Sequence, residues 1–237
     1  MGGLGQNENW RFHNMNQHYE FVPKKEYSPV RVELNNILTR LISLCRKDGI
    51  ILKDELVGSA KHKLITRTVH GNQGFDFDFN LIVEAHNNSN PEQKWNAGYL
   101  KKRIIYNLNH VLKKTNYKPA EDSTTAITFK VVDNQNKKII HSCDLAVVRY
   151  PYENNNSLMW IVRRDNNNGS YLWNIRQYTK NYQEKLIWLQ QYSNWFENIK
   201  EEYLKLKNNN LDKNKHSFEL YYEAINNLYQ QYNSNNE

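Results

Sequence analysis

Cysteine is scarce in this sequence. Cys45 and Cys143 are the only two among 237 residues, and both lie in apolar runs. This excludes a disulfide framework, and two reduced core cysteines are typical of a cytosolic protein. The eight histidines and two cysteines show no zinc-ligand spacing. A P-loop, a Gly-x-Ser-x-Gly elbow and a dinucleotide-binding glycine fingerprint are also missing, so the sequence gives no sign of those three kinds of site.

Long hydrophobic runs are missing as well. No stretch reaches about 18 apolar residues, the length that suggests a membrane-spanning helix. The N-terminus lacks the charged, apolar and small-residue order of a secretion signal. We therefore expect a cytoplasmic protein with no membrane-spanning or exported segment.

Aromatic and basic residues, by contrast, are plentiful. The chain has 16 Tyr, 8 Phe and 6 Trp, and its hydrophobic content is 39%. That is enough for the core of one large domain or of two small lobes. A net charge of +7 and a pI near 9.2 favour anionic partners such as nucleotides, nucleic acid or acidic surfaces. The alternative is a solvated basic surface with no special partner.

Hydrophobic periodicity predicts an α+β fold. Apolar residues recur at helical spacing over 28–47, 97–115, 182–206 and 217–232. Strand-like stretches cover 50–57, 75–84, 124–132, 138–148, 158–164 and 171–175. Ser28-Pro29 is a good start for the first helix, because a capping hydroxyl precedes a proline. We predict an N-terminal arm over 1–27, a mixed-sheet lobe over 28–175 and a helical lobe over 176–234, with a ligand cleft between the lobes.

Residues 75–80 alternate aromatic and polar side chains. Successive strand residues point to opposite faces, so Asp76 and Asp78 share one face, roughly 7 Å apart. Two carboxylates that close repel each other, and a divalent cation is the simplest partner that makes the arrangement favourable. Asp144 lies in an apolar stretch, where an unpaired carboxylate is costly and a metal or a salt bridge is favoured. The alternatives are a structural Asp-x-Asp near a loop and an Asp144 paired with Arg or Lys.

The order of these motifs resembles that of a known superfamily. Gly58-Ser59 forms a turn, Asp76-Phe77-Asp78 an acid-x-acid strand, and Asp144 a third acid on another strand. This set resembles the nucleotidyltransferases of the DNA polymerase beta superfamily. Residues 126–131 and 139–144 look most like the branch containing cGAS, the oligoadenylate synthases and the bacterial cyclic-dinucleotide synthases. The chain departs from the common pattern in its long spacer between Gly58 and Asp76.

The resemblance implies a nucleotidyltransferase lobe and a role for each motif. It implies that the Gly58-Ser59 backbone holds the triphosphate of an NTP such as ATP. It also implies that Asp76, Asp78 and Asp144 are catalytic and bind two Mg²⁺ ions, with Mn²⁺ as an alternative. The third acid is also a candidate to take the acceptor proton. The helical lobe of that branch supplies a phosphate lysine, and the candidates by position here are Lys180 and Lys185.

The turn and the basic residues after it suit a phosphate on physical grounds. A glycine lets the backbone approach a phosphate closely, while N–H groups and a serine hydroxyl donate hydrogen bonds to it. Basic side chains just after the turn are placed to neutralise phosphate charge, although ordinary surface charge explains them equally well. The candidate nucleotide-binding residues are Gly58, Ser59, Lys61, Lys63, Arg67, Lys180 and Lys185.

Two functions follow as hypotheses. The first is a metal-dependent nucleotidyltransferase that moves a nucleoside monophosphate from an NTP to a hydroxyl of an RNA end, a nucleotide or another acceptor, and releases pyrophosphate. The second is an inactive nucleotidyltransferase-fold module that binds RNA or nucleotides, which the net charge of +7 and the many aromatics favour. The sequence leaves the acceptor and the oligomeric state undefined.

Overall fold

The computed structural model describes residues 18–69, 71–85, 96–150, 158–177, 181–212 and 215–234. The strands are β1 (Tyr19–Phe21), β2 (Ile51–Val57), β3 (Thr66–Thr68), β4 (Phe75–Ala85), β5 (Glu121–Asp122), β6 (Ile127–Asp133), β7 (Lys138–Arg149), β8 (Leu158–Arg164) and β9 (Tyr171–Gln177). The helices are α1 (Lys24–Lys47), α2 (Gly58–Lys61), α3 (Ala97–Leu112), α4 (Asn181–Leu189), α5 (Trp195–Asn209) and α6 (Ser217–Ser234). Among the helices described, none has both the length and the apolarity to cross a bilayer.

The main sheet is mixed, as predicted. Its strand order is β2-β4-β7-β6-β5, and β8 pairs with β7 and β9. The β4–β7 pair is parallel, and each of the other pairs is antiparallel. Helices α4, α5 and α6 follow the sheet in the chain. The predicted α+β class, a mixed sheet followed by helices, is therefore confirmed.

The core of the sheet lies on the face away from the acidic residues. Alternation along β4 turns Phe75, Phe77 and Phe79 inward, where they pack with apolar side chains of α1 and α3 such as Leu41 and Ile104. Each fully buried side chain of this kind stabilises the fold by about 1.5–3 kcal/mol. Because one face of β4 is held in the core, the opposite face must present its polar residues.

A second apolar cluster lies among the last three helices. Tyr203 of α5 and Ile225 of α6 are buried in it, together with Leu64 from the segment after α2. The predicted boundaries of the arm and the two lobes, at residues 27 and 175, stay predictions.

The short strand β1 connects the sheet side of the molecule to the helices. It pairs antiparallel with β3, placing Tyr19 opposite Thr68 and Phe21 opposite Thr66. On its other side, the Tyr19 amide donates to Asn208 Oδ1 of α5 at 2.7 Å, and Asn208 Nδ2 donates back to the Tyr19 carbonyl at 3.3 Å. The segment before α1 thus contacts both β3 and α5.

The predicted start of the first helix is wrong. α1 begins at Lys24 after Pro23 rather than at Ser28, and Pro29 lies inside the helix. A proline there removes one backbone hydrogen bond, a local cost that tertiary contacts outweigh. Tyr27 packs against the core, and the Glu26 carboxylate forms an ion pair with Arg67.

The single long helix predicted over 182–206 is also wrong, because α4 ends at Leu189 and α5 begins at Trp195. In the turn between them, the Tyr192 amide donates to the Leu189 carbonyl at 3.1 Å. The Tyr192 ring stacks on Tyr232, with ring centroids 4.4 Å apart. Ser and Asn side chains, present at 193 and 194, compete with helical hydrogen bonding and favour such turns. The apolar stripe continues on both sides of the break, so periodicity alone does not reveal it.

The other predicted helices and strands are present, β8 with the predicted bounds and the rest with shifted ends. Helix α3 stops at Leu112, β6 starts at Ile127, and β9 runs on to Gln177. The short elements α2, β1, β3 and β5 were not predicted, because two to four residues carry too little periodicity to detect.

Candidate active site

The three predicted acidic residues lie on adjacent parallel strands. In the β4–β7 register, Asp78 is paired with Asp144, and Asp76 with Ser142. Paired residues of neighbouring strands share a face and lie about 4.8 Å apart, and residues two apart on one strand share that face as well. The structure therefore brings Asp76, Asp78 and Asp144 to the same face of the sheet, opposite the phenylalanines of β4.

Asp144 is held by a hydroxyl rather than by a cation. The Thr128 hydroxyl of β6 donates to Asp144 Oδ1 at 2.5 Å. Burial raises the pKa of Asp144, the Thr128 hydrogen bond opposes the rise, and the charge of Asp76 adds to it. Among the described residues, no lysine or arginine forms an ion pair with Asp144. The salt-bridge alternative for this residue therefore finds no support in the described part of the chain.

Asp78 carries the largest perturbation in the cluster. Burial raises the pKa of Asp78 to about 7, with further contributions from the charges of Asp76 and Asp144, while Lys207 acts in the opposite direction. Like charges that share a site raise one another's pKa, because ionising the second costs work against the first. The cluster is thus short of positive charge, and a bound cation would relieve the repulsion.

Gly58 is packed directly against this cluster. Its φ is +65°, in the left-handed region that favours glycine, and a Cβ at this position would lie 2.2 Å from Asp78 Oδ2. Any larger residue would be strained in the backbone and would displace the carboxylate. The glycine of the Gly-Ser turn is therefore required by both its conformation and its contact with Asp78.

The three aspartates have the chemistry of magnesium or manganese ligands, but their positions in the structure do not form a complete metal site. Hard divalent cations prefer carboxylate oxygens, and the raised pKa of Asp78 marks a place where positive charge is missing. Within the described residues, however, no group of three His, Cys, Asp or Glu side chains is arranged to hold a metal ion. The metal site therefore stays a prediction.

The predicted basic residues lie in different surroundings. Lys61 pairs with Glu55 at 3.0 Å, and Arg67 pairs with Glu20 at 2.7 Å and with Glu26. Lys63 is exposed. Their roles in nucleotide binding stay predictions.

Lys185, one of the two lysines proposed from the helical lobe, is not brought to the acids by any described contact, and its role in nucleotide binding stays a prediction. Lys185 of α4 donates a hydrogen bond to Asn226 and lies over the Tyr229 ring, 5.4 Å from its centroid. Lys180 lies outside the described residues.

Lys207 of α5 is a site residue that sequence reasoning missed. Its ammonium group donates to Thr66 Oγ1 at 2.8 Å, Ser217 Oγ at 3.1 Å and Tyr203 OH at 3.3 Å. Burial lowers the pKa of Lys207, and the charge of Asp76 partly offsets that effect. A possible signal was its spacing, because Lys207 follows the buried Tyr203 by one helical turn and so lies on the apolar side of the helix.

A small pocket joins the Gly-Ser turn to the last helices. Its lining comprises Gly58, Ser59, His62, Leu64, Tyr203, Ser217, Phe218 and Tyr221. His62 stacks on Tyr221 with ring centroids 4.3 Å apart. Burial, and then the charge of Lys61, lower the pKa of His62 to about 4, so this ring is neutral at pH 7. This pocket is thus lined on one side by the turn and on the other by α5 and α6, and the predicted cleft between two lobes stays a prediction.

No family model matches the sequence. No curated protein matches it either. Solved structures do match in outline. The CD-NTase CdnG of Bradyrhizobium diazoefficiens, in complex with GTP, gives a TM-score of 0.47 at 12% identity, covering 74% of this chain and 44% of that one.

Two further matches are proteins named DncV, of which the Vibrio cholerae one is a di-nucleotide cyclase. The Vibrio cholerae protein, in complex with GTP and 5MTHFGLU2, gives a TM-score of 0.48 at 13% identity over 67% of this chain and 42% of that one. The Escherichia coli protein in its 3′-deoxy GTP bound form gives 0.46 at 14% identity over 82% of this chain and 48% of that one. This chain thus spans less than half the length of each. These neighbours belong to the bacterial branch that the sequence resembles, and at such TM-scores the likeness bears on neither activity nor substrate.

Proposed function

We propose that this protein is a metal-dependent nucleotidyltransferase, which transfers a nucleoside monophosphate from an NTP to a hydroxyl acceptor and releases pyrophosphate. The observation that carries the proposal is the pairing of Asp78 with Asp144 on parallel strands, with Gly58 packed against the Asp78 carboxylate. A carboxylate cluster that its own charges destabilise suits a bound cation better than a purely structural role.

The acidic residues are the proposed ligands of the cofactor, Mg²⁺ or Mn²⁺. Asp76 and Asp78 would contribute oxygens from β4, and Asp144 from β7. When bound there, the metal supplies neutralisation of phosphate charge and a lower pKa for the acceptor hydroxyl. We assign to Asp144 the further role of taking the proton of that hydroxyl.

The triphosphate is proposed to lie between the Gly-Ser turn and α5. Backbone N–H groups at Gly58 and Ser59 would donate to phosphate oxygens, and Lys207 would supply the positive charge. The Lys207 ammonium donates to the Ser217 hydroxyl at 3.1 Å, and Ser217 lines the same pocket as Gly58 and Ser59. Phe218, 39% exposed beside Ser217, offers a ring on which a base can stack.

Turnover of each labelled NTP, with Mg²⁺ or Mn²⁺ and with total RNA or a second nucleotide as acceptor, tests the proposal. Pyrophosphate release and labelled product are measured together. Replacing Asp76, Asp78 or Asp144 by Asn is expected to lower turnover roughly 100-fold or more, because each change removes a carboxylate that would hold the metal, and the metal would stabilise charge on the transferring phosphoryl group.

The matched control is Asp54→Asn. Asp54 lies on β2 next to β4, and its side chain is exposed. The variant removes one carboxylate charge without touching the cluster and should keep wild-type turnover. Metal-dependent turnover that survives in the Asp76→Asn and Asp78→Asn proteins would reject the proposal.

An inactive binding module is the second candidate function. The observation that favours it is the lack, among the described residues, of three side chains already arranged around a metal position. In that case RNA or NTP would bind without turnover, and RNA affinity would fall steeply as salt rises. Binding with no pyrophosphate release under any of the conditions above would favour this alternative.

A further inference from the structure

We infer that Thr128 and Ser123 form a positioning pair that fixes the Asp144 carboxylate from the β6 side and leaves its second oxygen for the metal. The inference rests on the proposed function, and it concerns how this chain prepares one ligand before any metal or nucleotide binds. Neither residue belongs to the Gly-Ser, Asp-x-Asp and Asp set.

The hydrogen bonds run in one direction. Thr128 is the register partner of Asp144 in the β6–β7 pair, and its hydroxyl donates to Asp144 Oδ1. A hydroxyl has a single proton, so the contact of 3.2 Å between Ser123 Oγ and Thr128 Oγ1 must have Ser123 as its donor. The order is therefore Ser123 to Thr128 to Asp144. Successive bonds of this kind polarise and strengthen one another.

Ser123 is itself held from the core side of the sheet. The Lys101 ammonium of α3, a group only 1% exposed, donates to the Ser123 carbonyl at 2.6 Å. The same ammonium lies 2.8 Å from Asp122 Oδ1, an ion pair without hydrogen-bond geometry. The Tyr171 hydroxyl donates to Asp122 Oδ2 at 2.5 Å. The two-residue strand β5 is thereby fixed at the point where the chain turns toward β6.

The consequence for Asp144 is a fixed rotamer. Strand β7 lies between β4 and β6, so the hydroxyl of Thr128 holds Oδ1 on the side away from the like charges of β4. Without this bond, repulsion from those charges would leave the carboxylate free to rotate. The bond from Thr128 occupies Oδ1 and leaves the other oxygen for a ligand. Threonine is suited to this task because its branched side chain is stiff about χ1.

The test compares Thr128→Val, which removes the hydroxyl at nearly constant volume, with Thr128→Ser, which keeps it. The control is Thr39→Val, the same change at an exposed α1 position where the hydroxyl donates to the Asn35 carbonyl at 2.9 Å. Four quantities are measured: Mn²⁺ affinity by electron paramagnetic resonance titration, kcat and KM for the NTP, and Tm.

We expect Thr128→Val to weaken Mn²⁺ binding by about 10–100-fold, the usual effect of removing a group that orients a metal ligand. Thr128→Ser should restore most of the affinity, and Thr39→Val should match wild type. If Thr128→Val does not fold, Ser123→Ala carries the test, with a smaller loss of affinity expected.

The outcomes separate the two proposals. Wild-type Mn²⁺ affinity in both Thr128→Val and Ser123→Ala, together with lost affinity in Asp144→Asn, would overturn the positioning role and leave the proposed function standing. Failure of the wild-type protein to bind Mn²⁺ and to turn over NTP would reject both. A fall in Tm with unchanged Mn²⁺ affinity would mean that the hydroxyls serve the fold alone.

Discussion

Replacing Gly58 by alanine is expected to have two effects, backbone strain and displacement of the Asp78 carboxylate, which control variants can separate. The new Cβ would lie 2.2 Å from Asp78 Oδ2 and 3.0 Å from its Cγ, so the carboxylate must move. The φ of +65° adds a strain of about 1–2 kcal/mol for a residue with a Cβ. Two losses are therefore expected in one variant, one of stability and one of metal and nucleotide binding.

Gly49 and Gly169 are matched controls for the strain alone. Their φ values are +77° and +71°, and a Cβ at either position would meet nothing within 4 Å. Gly49→Ala and Gly169→Ala should each cost about 1–2 kcal/mol of unfolding free energy, at about 2–4 °C of Tm per kcal/mol for a chain of this size. Both should keep wild-type affinity for Mn²⁺ and NTP, because neither touches the acidic residues.

A double-mutant cycle isolates the steric part of the Gly58 effect. In an Asp78→Ala background the nearest remaining atom of residue 78 is its Cβ, 3.2 Å from the new methyl. In that background, Gly58→Ala should cost only as much unfolding free energy as Gly49→Ala does. The coupling energy is the difference between the cost of Gly58→Ala in the wild-type background and its cost in the Asp78→Ala background. Stability is measured by urea unfolding. The reasoning is refuted if Gly58→Ala costs no more than the two controls and also binds Mn²⁺ as wild type does.

Three further predictions concern charged side chains. Lys207→Met should weaken NTP binding, measured by calorimetry, by about 10–100-fold, because a charged hydrogen bond to phosphate is lost. Lys205→Met, on the exposed side of α5, should leave NTP affinity unchanged. Equal NTP affinities in the two variants would count against a phosphate role for Lys207. Lys101→Met should lower the unfolding free energy by roughly 3–5 kcal/mol in urea, because it leaves a half-buried carboxylate without its cation; a loss below about 1 kcal/mol would contradict this. Asp48→Asn should cost about 1 kcal/mol at pH 7, since Arg103 is 39% exposed. The Arg103 hydrogen bonds lower the pKa of Asp48, so this cost is present above its ordinary value of 3.8 and should vanish as pH falls through the lowered value. A cost that does not decrease as the pH is lowered would contradict this.

The sequence predicts on which face of a strand a side chain lies better than it predicts which strands are neighbours. Alternation over Phe75–Asn80 correctly placed Asp76 and Asp78 on one face, because side-chain direction along a strand is a local property. That Asp144 lies beside Asp78, rather than farther along, depends on the parallel β4–β7 register, which pairs residues 66 apart in sequence and is set by packing. The resemblance suggested this proximity, and periodicity alone would not.

The contacts of site side chains were the least predictable part. Thr128 was one polar residue in an alternating strand, and only the β6–β7 register shows that it meets Asp144. Lys207 belongs to α5. The start of this helix at Trp195 was not predicted, because the apolar stripe continues across the break that precedes it. Lys185 was proposed from its position along the chain. The direction of its side chain depends on the rotation of the helix about its axis, which the sequence does not give, and in the structure the side chain contacts Asn226.

The placement of β1 has a consequence for the order of folding. Tyr19 hydrogen bonds to Asn208, 189 residues later, and β1 also needs β3 as its antiparallel neighbour. Strand β1 must therefore wait for a helix that is synthesised much later, and contacts so distant along the chain form slowly. Until α5 has been synthesised, its hydrogen bonds to the Tyr19 backbone cannot form. The contacts of β1 are therefore complete only when both β3 and α5 are in place.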